Sequence, residues 1–182
     1  MRKIIASTYA TLDGYIDNPH LWSLDYWSDE AARFAKDQLF SCDGLLMGRV
    51  TYEGFAASWP ERTGDPFSDR INSMSKYVVT STLEKADWNN TTVIPGDDLV
   101  KRVTELKEQP GQDILMYGIG NLTDGLMAGG LLDEYRIWVH PEIRGEGQPL
   151  FREGVKAKLK HLGTRTFESG VVILSYQPIY EG

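Results

Sequence analysis

Short apolar runs alternate with amphipathic stretches along most of the chain. Lys3-Ile4-Ile5-Ala6-Ser7-Thr8-Tyr9-Ala10-Thr11 reads as a largely buried strand, because its apolar and hydroxyl residues do not alternate cleanly. Leu45-Leu46-Met47, Tyr77-Val78-Val79, Thr92-Val93-Ile94, Asp113 to Tyr117 and Tyr135 to His140 have the same short, apolar character. Helical patterns fall between them. Ser28 is placed to cap a helix whose Ala31, Phe34, Ala35 and Leu39 share one face, and Asp43-Gly44 is expected to end it. A second helix starts within Gly48 to Glu53, and Asp65-Pro66 predicts a short one over 66–74. An aspartate of the pair Asp97-Asp98 caps a helix through Leu99, Val103 and Leu106, and Leu122, Leu126 and Met127 give a last one that stops at Gly129-Gly130. Lys158 to Glu168 and Val171 to Tyr176 alternate like a hairpin turned at Ser169-Gly170. Strands that alternate with helices, followed by a hairpin, predict one α/β domain over 1–182 with a mainly parallel sheet and an antiparallel edge.

Composition narrows this picture more than it extends it. With 182 residues, 41% of them hydrophobic, the chain can fill one core and is short for two. Cys42 is the only cysteine, so no internal disulfide or cysteine-built metal site exists, and a small buried residue in a reducing compartment is expected. Polar residues and Asp13 interrupt the apolar run after Arg2-Lys3 too early for a secretion signal, and no segment approaches a membrane span, which points to the cytoplasm. A formal net charge of −7 disfavours nucleic acid as a partner, so an anionic ligand needs a local pocket.

The stretch richest in chemistry is Asp113-Ile114-Leu115-Met116-Tyr117-Gly118-Ile119-Gly120-Asn121-Leu122. A strand ending in Gly-x-Gly turns sharply and can leave helix N-terminal N–H groups for a phosphate, although the same residues also make an ordinary strand-to-helix turn. It is not the dinucleotide fingerprint of a doubly wound fold, because Thr123 takes the third glycine's place and the motif comes late in the chain. Two further strand ends offer similar groups, Gly48-Arg49-Val50-Thr51 and Thr80-Ser81-Thr82, and the carboxyl ends of strands in an open α/β sheet are where ligands bind. Arg49 beside a hydroxyl cluster suits a ribose 2′-phosphate; each group also reads as an ordinary helix start or strand end. His20, His140 and His161 lack metal-ligand spacing and receive no role.

Met47-Gly48-Arg49-Val50-Thr51-Tyr52-Glu53, the hydroxyl-ended strand and the late Gly118-x-Gly120-x-Leu122 resemble the dihydrofolate reductase-like superfamily. Gly129-Gly130-Leu131-Leu132-Asp133-Glu134-Tyr135 through Pro141, Gly145, Gly147 and Leu150-Phe151, together with Leu12-Asp13-Gly14, more closely resemble the reductase domain of bifunctional riboflavin-biosynthesis proteins. The resemblance implies a central sheet of about eight strands with helices on both faces. It also implies NADPH as hydride donor and a site along the carboxyl edge. Carried over, Gly48, Arg49 and Thr51 would meet the adenosine side and pyrophosphate, Thr80 and Ser81 the 2′-phosphate, and Gly118, Gly120, Asn121 and Leu122 the pyrophosphate toward nicotinamide. Glu30 and Phe34 match, at i and i+4, an acid and a ring on the first helix of folate reductases, and Trp22 lies in the loop before them. The pair stands farther from Gly48 than in folate enzymes. Glu30 also reads as a dipole partner of its helix, and Asp13, the second candidate acid, as a turn residue.

These residues lead to an NADPH-dependent reductase of a pyrimidine or pterin-like heterocycle, resembling 5-amino-6-(5-phosphoribosylamino)uracil reductase. The fused deaminase of the riboflavin enzymes has no counterpart, since no zinc-binding His/Cys pattern is present. A non-catalytic nucleotide- or drug-sequestering protein on the same fold and a true dihydrofolate reductase are the alternatives. The resemblance further implies a homodimer, with Pro141 to Phe151 and the last hairpin at the contact.

Overall fold

The computed structural model describes residues 1–182. Eight strands form one mixed sheet: β1 (Ile4–Thr11), β2 (Cys42–Gly48), β3 (Ser75–Val79), β4 (Thr91–Ile94), β5 (Asp113–Tyr117), β6 (Glu134–His140), β7 (Lys158–Thr166) and β8 (Val172–Ile179), in the order β4-β3-β2-β5-β1-β6-β8-β7. The helices are α1 (Asp29–Phe40), α2 (Arg49–Ser58), α3 (Pro66–Ser73), α4 (Leu99–Glu108) and α5 (Asn121–Ala128). Packing divides the chain into two compact units, Met1–Ile4 with Lys36–Tyr117 and Ile5–Ala35 with Gly118–Gly182.

In the first unit β2 pairs in parallel with β3 and β5, and β3 in parallel with β4. The step from β2 to β3 moves outward and the step from β4 to β5 moves back. Right-handed crossovers therefore put α2 and α4 on opposite faces of these strands. Leu45, Leu46, Met47, Val78, Ile114 and Leu115 are buried between them, which is why these strands read as continuous apolar runs. Asp65 caps α3 by accepting the Ser68 N–H at 3.0 Å, as its place before Pro66 predicts.

Two boundaries differ from the sequence reading. Asp43-Gly44 does not end α1 but lies inside β2, where the register against β5 shifts between Cys42 and Gly44. Asp43 is held there by the buried Arg2 guanidinium and by the Gln112 N–H at 3.0 Å, so two long-range partners override the turn preference of Asp-Gly. A 3-10 turn, Gly96–Asp98, precedes α4, and Asp98 makes no side-chain cap.

Lys76, in β3, is fully buried, and its ammonium donates to the carbonyl oxygens of Asn72, Met74 and Asn89 at 2.7, 2.9 and 2.9 Å with the Trp88 ring 4.3 Å away. These acceptors tie α3, β3 and the chain before β4 to one point. No charge neutralises it, and burial pushes its pKa down to about 8.

In the second unit β1 runs parallel to β6, and β8 pairs antiparallel with both β6 and β7. Ser28 accepts the Ala31 N–H at 3.2 Å, so the predicted cap of α1 forms. Ala31, Trp138, Phe167, Val171 and Ile173 make the core, with Tyr9, Tyr26, Phe34 and Ala35 packed on it. β7 is an edge strand, mostly exposed and rich in Lys, which discourages further pairing. No helix is long and apolar enough to cross a membrane.

Lys76→Met should strand three buried carbonyls and cost about 2–4 kcal/mol, read from urea unfolding at unchanged slope. Because the folded pKa lies below the ordinary 10.5, the unfolded chain binds more protons between them, and wild-type stability should rise as pH climbs from about 8 toward 10. Tyr9 and Tyr180, both pushed up to about 12 by burial, reverse that trend above pH 10. The rise should be absent in the methionine variant.

Candidate functional site

In the first unit, β2 ends at Gly48 and Arg49 opens α2, so Arg49 stands at the carboxyl end of β2. Arg49 Nε donates to Glu53 Oε1 at 2.8 Å, one helical turn on, and Nη1 donates to Thr82 Oγ1 at 2.7 Å. Thr80 is turned inward. Its hydroxyl accepts the N–H groups of Thr82 and Leu83 at 3.2 and 3.3 Å, which shapes the loop, and lies 3.4 Å from Thr82 Oγ1, so it stands behind the hydroxyl that meets Arg49. Ser81 points away toward Gly96, where a Cβ would stand 2.6 Å from its hydroxyl. The hydroxyl that meets Arg49 is therefore that of Thr82, which the sequence reading placed in the cluster but left out of its site residues. Thr51 lies on the first turn of α2, within the predicted stretch.

In the second unit, the chain leaves β5 through Gly118, whose φ of 95° is a left-handed conformation that glycine adopts at least cost. Nothing lies within 4 Å of where its Cβ would be. The Gly118 N–H donates to Ser7 O at 2.8 Å, and the Gly120 N–H donates to Thr123 Oγ1 at 2.9 Å. Both glycine N–H groups are thus spent inside the fold. An anion here would meet the first N–H groups of α5 instead, those of Asn121, Leu122 and Thr123, which have no partner within the helix.

An aromatic cluster lines the α1 side of β1 and β6. Trp138 donates to Ser7 Oγ at 3.1 Å, and Tyr9 lies 5.2 Å from Trp138 and 5.0 Å from His140, centroid to centroid. Phe34 stands edge-on to Trp138 at 5.2 Å and packs on Phe167 at 6.1 Å. Glu30, one turn earlier on α1, accepts the Glu168 N–H at 3.1 Å, so the β7–β8 turn fixes one carboxyl oxygen. Trp22 is buried, with its indole N–H on Asp17 O at 3.2 Å and its ring 5.1 Å from His140. Glu30, Phe34 and Trp22 fall in one unit, the first two both on α1, but Phe34 and Trp22 are engaged with neighbouring rings.

A match to the model of the RibD C-terminal domain covers residues 2–173. The chain belongs to the RibD C-terminal domain family. Among its relatives is the uncharacterized protein YyaP of Bacillus subtilis (strain 168), 34% identical over 96% of this chain and 94% of its own length. A pyrimidine reductase-like protein from Corynebacterium diphtheriae shares the fold at a TM-score of 0.70 and 10% identity, covering 99% of this chain and 93% of its own. Dihydrofolate reductase from Enterococcus faecalis, complexed with NADP(H), does so at a TM-score of 0.60 and 15% identity over 97% and 96%. The expected dihydrofolate reductase-like fold, with its mainly parallel sheet and antiparallel hairpin, is the one observed.

Within this RibD-type fold, Asp13 takes a different part from the acid expected of it. Its carboxylate accepts the Thr11 hydroxyl at 2.7 Å, the Gly145 N–H at 2.8 Å and the Arg144 N–H at 3.1 Å. The Thr11 bond, then those from the backbone, hold its pKa below the usual carboxylate value. An exposed carboxylate kept ionised is a clamp between the 12–17 turn and the 142–148 loop, and a poor proton donor. Asp17 repeats the device by accepting the Gln148 N–H at 2.7 Å.

The sequence reading gave Tyr9 only a place in a strand and named His140 only to assign it no role. Burial lowers the His140 pKa, and Nδ1 lies 2.9 Å from Trp138 O, so the neutral ring donates there from Nδ1. The signal available was the odd-numbered polar and aromatic set Ser7, Tyr9, Thr11 on one face of β1.

Asp13→Asn should speed amide hydrogen exchange at Arg144 and Gly145 while leaving β2 to β5 protected. Because the folded pKa is depressed, the clamp should be intact above the ordinary carboxylate pKa and fade as pH falls below it. Equal protection in both proteins at neutral pH would refute it.

Proposed function

We propose that this chain is an NADPH-dependent reductase that delivers hydride to a pyrimidine or pterin-like heterocycle of the riboflavin-pathway type. The observation that carries the reading is Arg49, held on the carboxyl edge by Thr82 and Glu53. A guanidinium with a hydroxyl at 2.7 Å and half its surface in solvent is the donor set that a ribose 2′-phosphate needs. The first N–H groups of α5 supply a separate site for diphosphate charge. The cofactor complex of the Enterococcus faecalis relative supports the assignment on fold grounds.

When bound, NADPH supplies the hydride; the chain's residues bind, orient and move the proton. Tyr9 and Trp138 wall the α1 side of the sheet and exclude water from it. Reduction of a C=N bond also requires a proton on nitrogen, and in this reading Glu30, on α1 one turn before Phe34, is the carboxyl group that delivers it. Fixing one oxygen by the Glu168 N–H keeps the carboxyl oriented through that transfer.

Titration followed by tryptophan fluorescence should show NADPH bound at least about tenfold more tightly than NADH. Arg49→Gln should erase most of that ratio and leave NADH binding unchanged. Binding of neither nucleotide by the wild type would remove the reductase reading. Glu30→Gln should lower turnover by about a hundredfold or more with cofactor affinity kept. Cofactor binding without oxidation across a panel of pyrimidines and pterins would favour a non-catalytic binding protein.

A further inference from the structure

The segment after β6 returns to α5 and places Arg152 against its first turn. A Cβ on Gly120 would lie 3.8 Å from Arg152 Nη1, so the guanidinium lies beside the glycine that opens the helix. Its other terminal nitrogen is paired with Asp124, the fourth residue of α5. Both side chains are nearly a third exposed, so the pair is within reach of solvent and of a ligand. Beside it lies a group with no apparent work. Tyr135 is 1% exposed, and its hydroxyl has no hydrogen-bond partner, although Asp124 and Arg152 both act on it electrostatically. A buried phenol without an acceptor is costly, and the ring is fixed by β6 and by Phe151, 5.4 Å away and perpendicular.

We infer that Arg152 is a diphosphate-binding residue at the start of α5, stored on Asp124 in the free protein, with Tyr135 ready to donate its hydroxyl to Asp124 when Arg152 turns to the ligand. This rests on the nicotinamide-nucleotide reading above and deepens it. The arrangement explains three things together. The Gly120 N–H is occupied by Thr123, so the turn needs a further donor beyond the helix N–H groups. Once Arg152 leaves it, the Asp124 carboxylate in the first turn of α5 would oppose an anion there, and a hydrogen bond from Tyr135 would lessen that cost by satisfying one of its oxygens without cancelling the charge. The phenol, pushed above its usual range chiefly by burial, remains a donor throughout.

Arg152 and Arg49 should differ in what they read. Arg49 meets a phosphate present only in NADPH, whereas the diphosphate is common to NADPH and NADH. Dissociation constants for NADPH, NADH and inorganic pyrophosphate should therefore be measured for wild type, Arg152→Gln, Arg152→Lys and Asp124→Asn. Arg152→Gln should weaken both nucleotides alike, by roughly tenfold, with their ratio unchanged. Arg152→Lys, which keeps the charge, should recover part of the loss, and Asp124→Asn should tighten both nucleotides. Unchanged affinities in Arg152→Gln, or a loss confined to NADPH, would overturn the inference. Wild type that binds pyrophosphate but neither nucleotide would overturn the reductase reading and uphold the anion site. Wild type that binds none of the three would overturn both.

Discussion

The register of β1 against β6 decides which side chains meet on the α1 side of the second unit. Tyr9 stands opposite Trp138 and Thr11 opposite His140, so the odd positions of one strand and the even positions of the other share a face. A slip of β6 by one residue against β1 would send Trp138 and His140 to the opposite face and set Ile137 and Val139 beside Tyr9 and Thr11 instead. The Trp138 to Ser7 hydrogen bond pins that register from within, and a buried indole N–H that lost Ser7 would have no obvious substitute. Glu30 and Phe34 acquire meaning only from this alignment, because α1 lays them over the aromatic face it creates.

The first unit solves a different problem. Its central strands β2 and β5 are apolar on both sides and offer little to fix the chain that joins them, yet the loop after β3 must be firm enough to present Thr82 to Arg49. Thr80 shapes that loop by accepting two backbone N–H groups, and Lys76 holds the segments leading into and out of β3. An ammonium surrounded by carbonyl oxygens gives tight geometry without an exact side-chain partner, at the expense of burying a charge.

Much of this was legible from the residues. Strand character was readable where apolar runs were short and bounded by glycine or proline, and the caps at Ser28 and Asp65 follow from local chemistry that tertiary contacts did not override. Asp43-Gly44 misled because its turn preference is local, while Arg2 and Gln112 are distant in sequence and prevail. The same limit applies to the site. Arg49, Gly118 and Glu30 stand out by residue type and position, but whether Thr80, Ser81 or Thr82 faces Arg49 depends on how a three-residue strand end is twisted. Asp13 looks like an acid until its donors are known, and two of them, the Arg144 and Gly145 N–H groups, lie more than a hundred residues away.

The two aspartate clamps restrict the 142–148 loop in an unusual way. Asp13 and Asp17 grip backbone N–H groups of Arg144, Gly145 and Gln148, not their side chains. What they measure is therefore the count of residues between the grips. The side chains of Arg144, Glu146 and Gln148 can be exchanged without loosening either clamp, whereas a single insertion or deletion between them would release one. Gly145 and Gly147 are the exceptions: their φ angles of 77° and 134° are left-handed, and at Gly147 the closeness of the Asp17 carboxylate also leaves no room for a side chain. Such a loop is free to drift in composition while its length stays fixed, so its spelling would carry less information about kinship than its spacing.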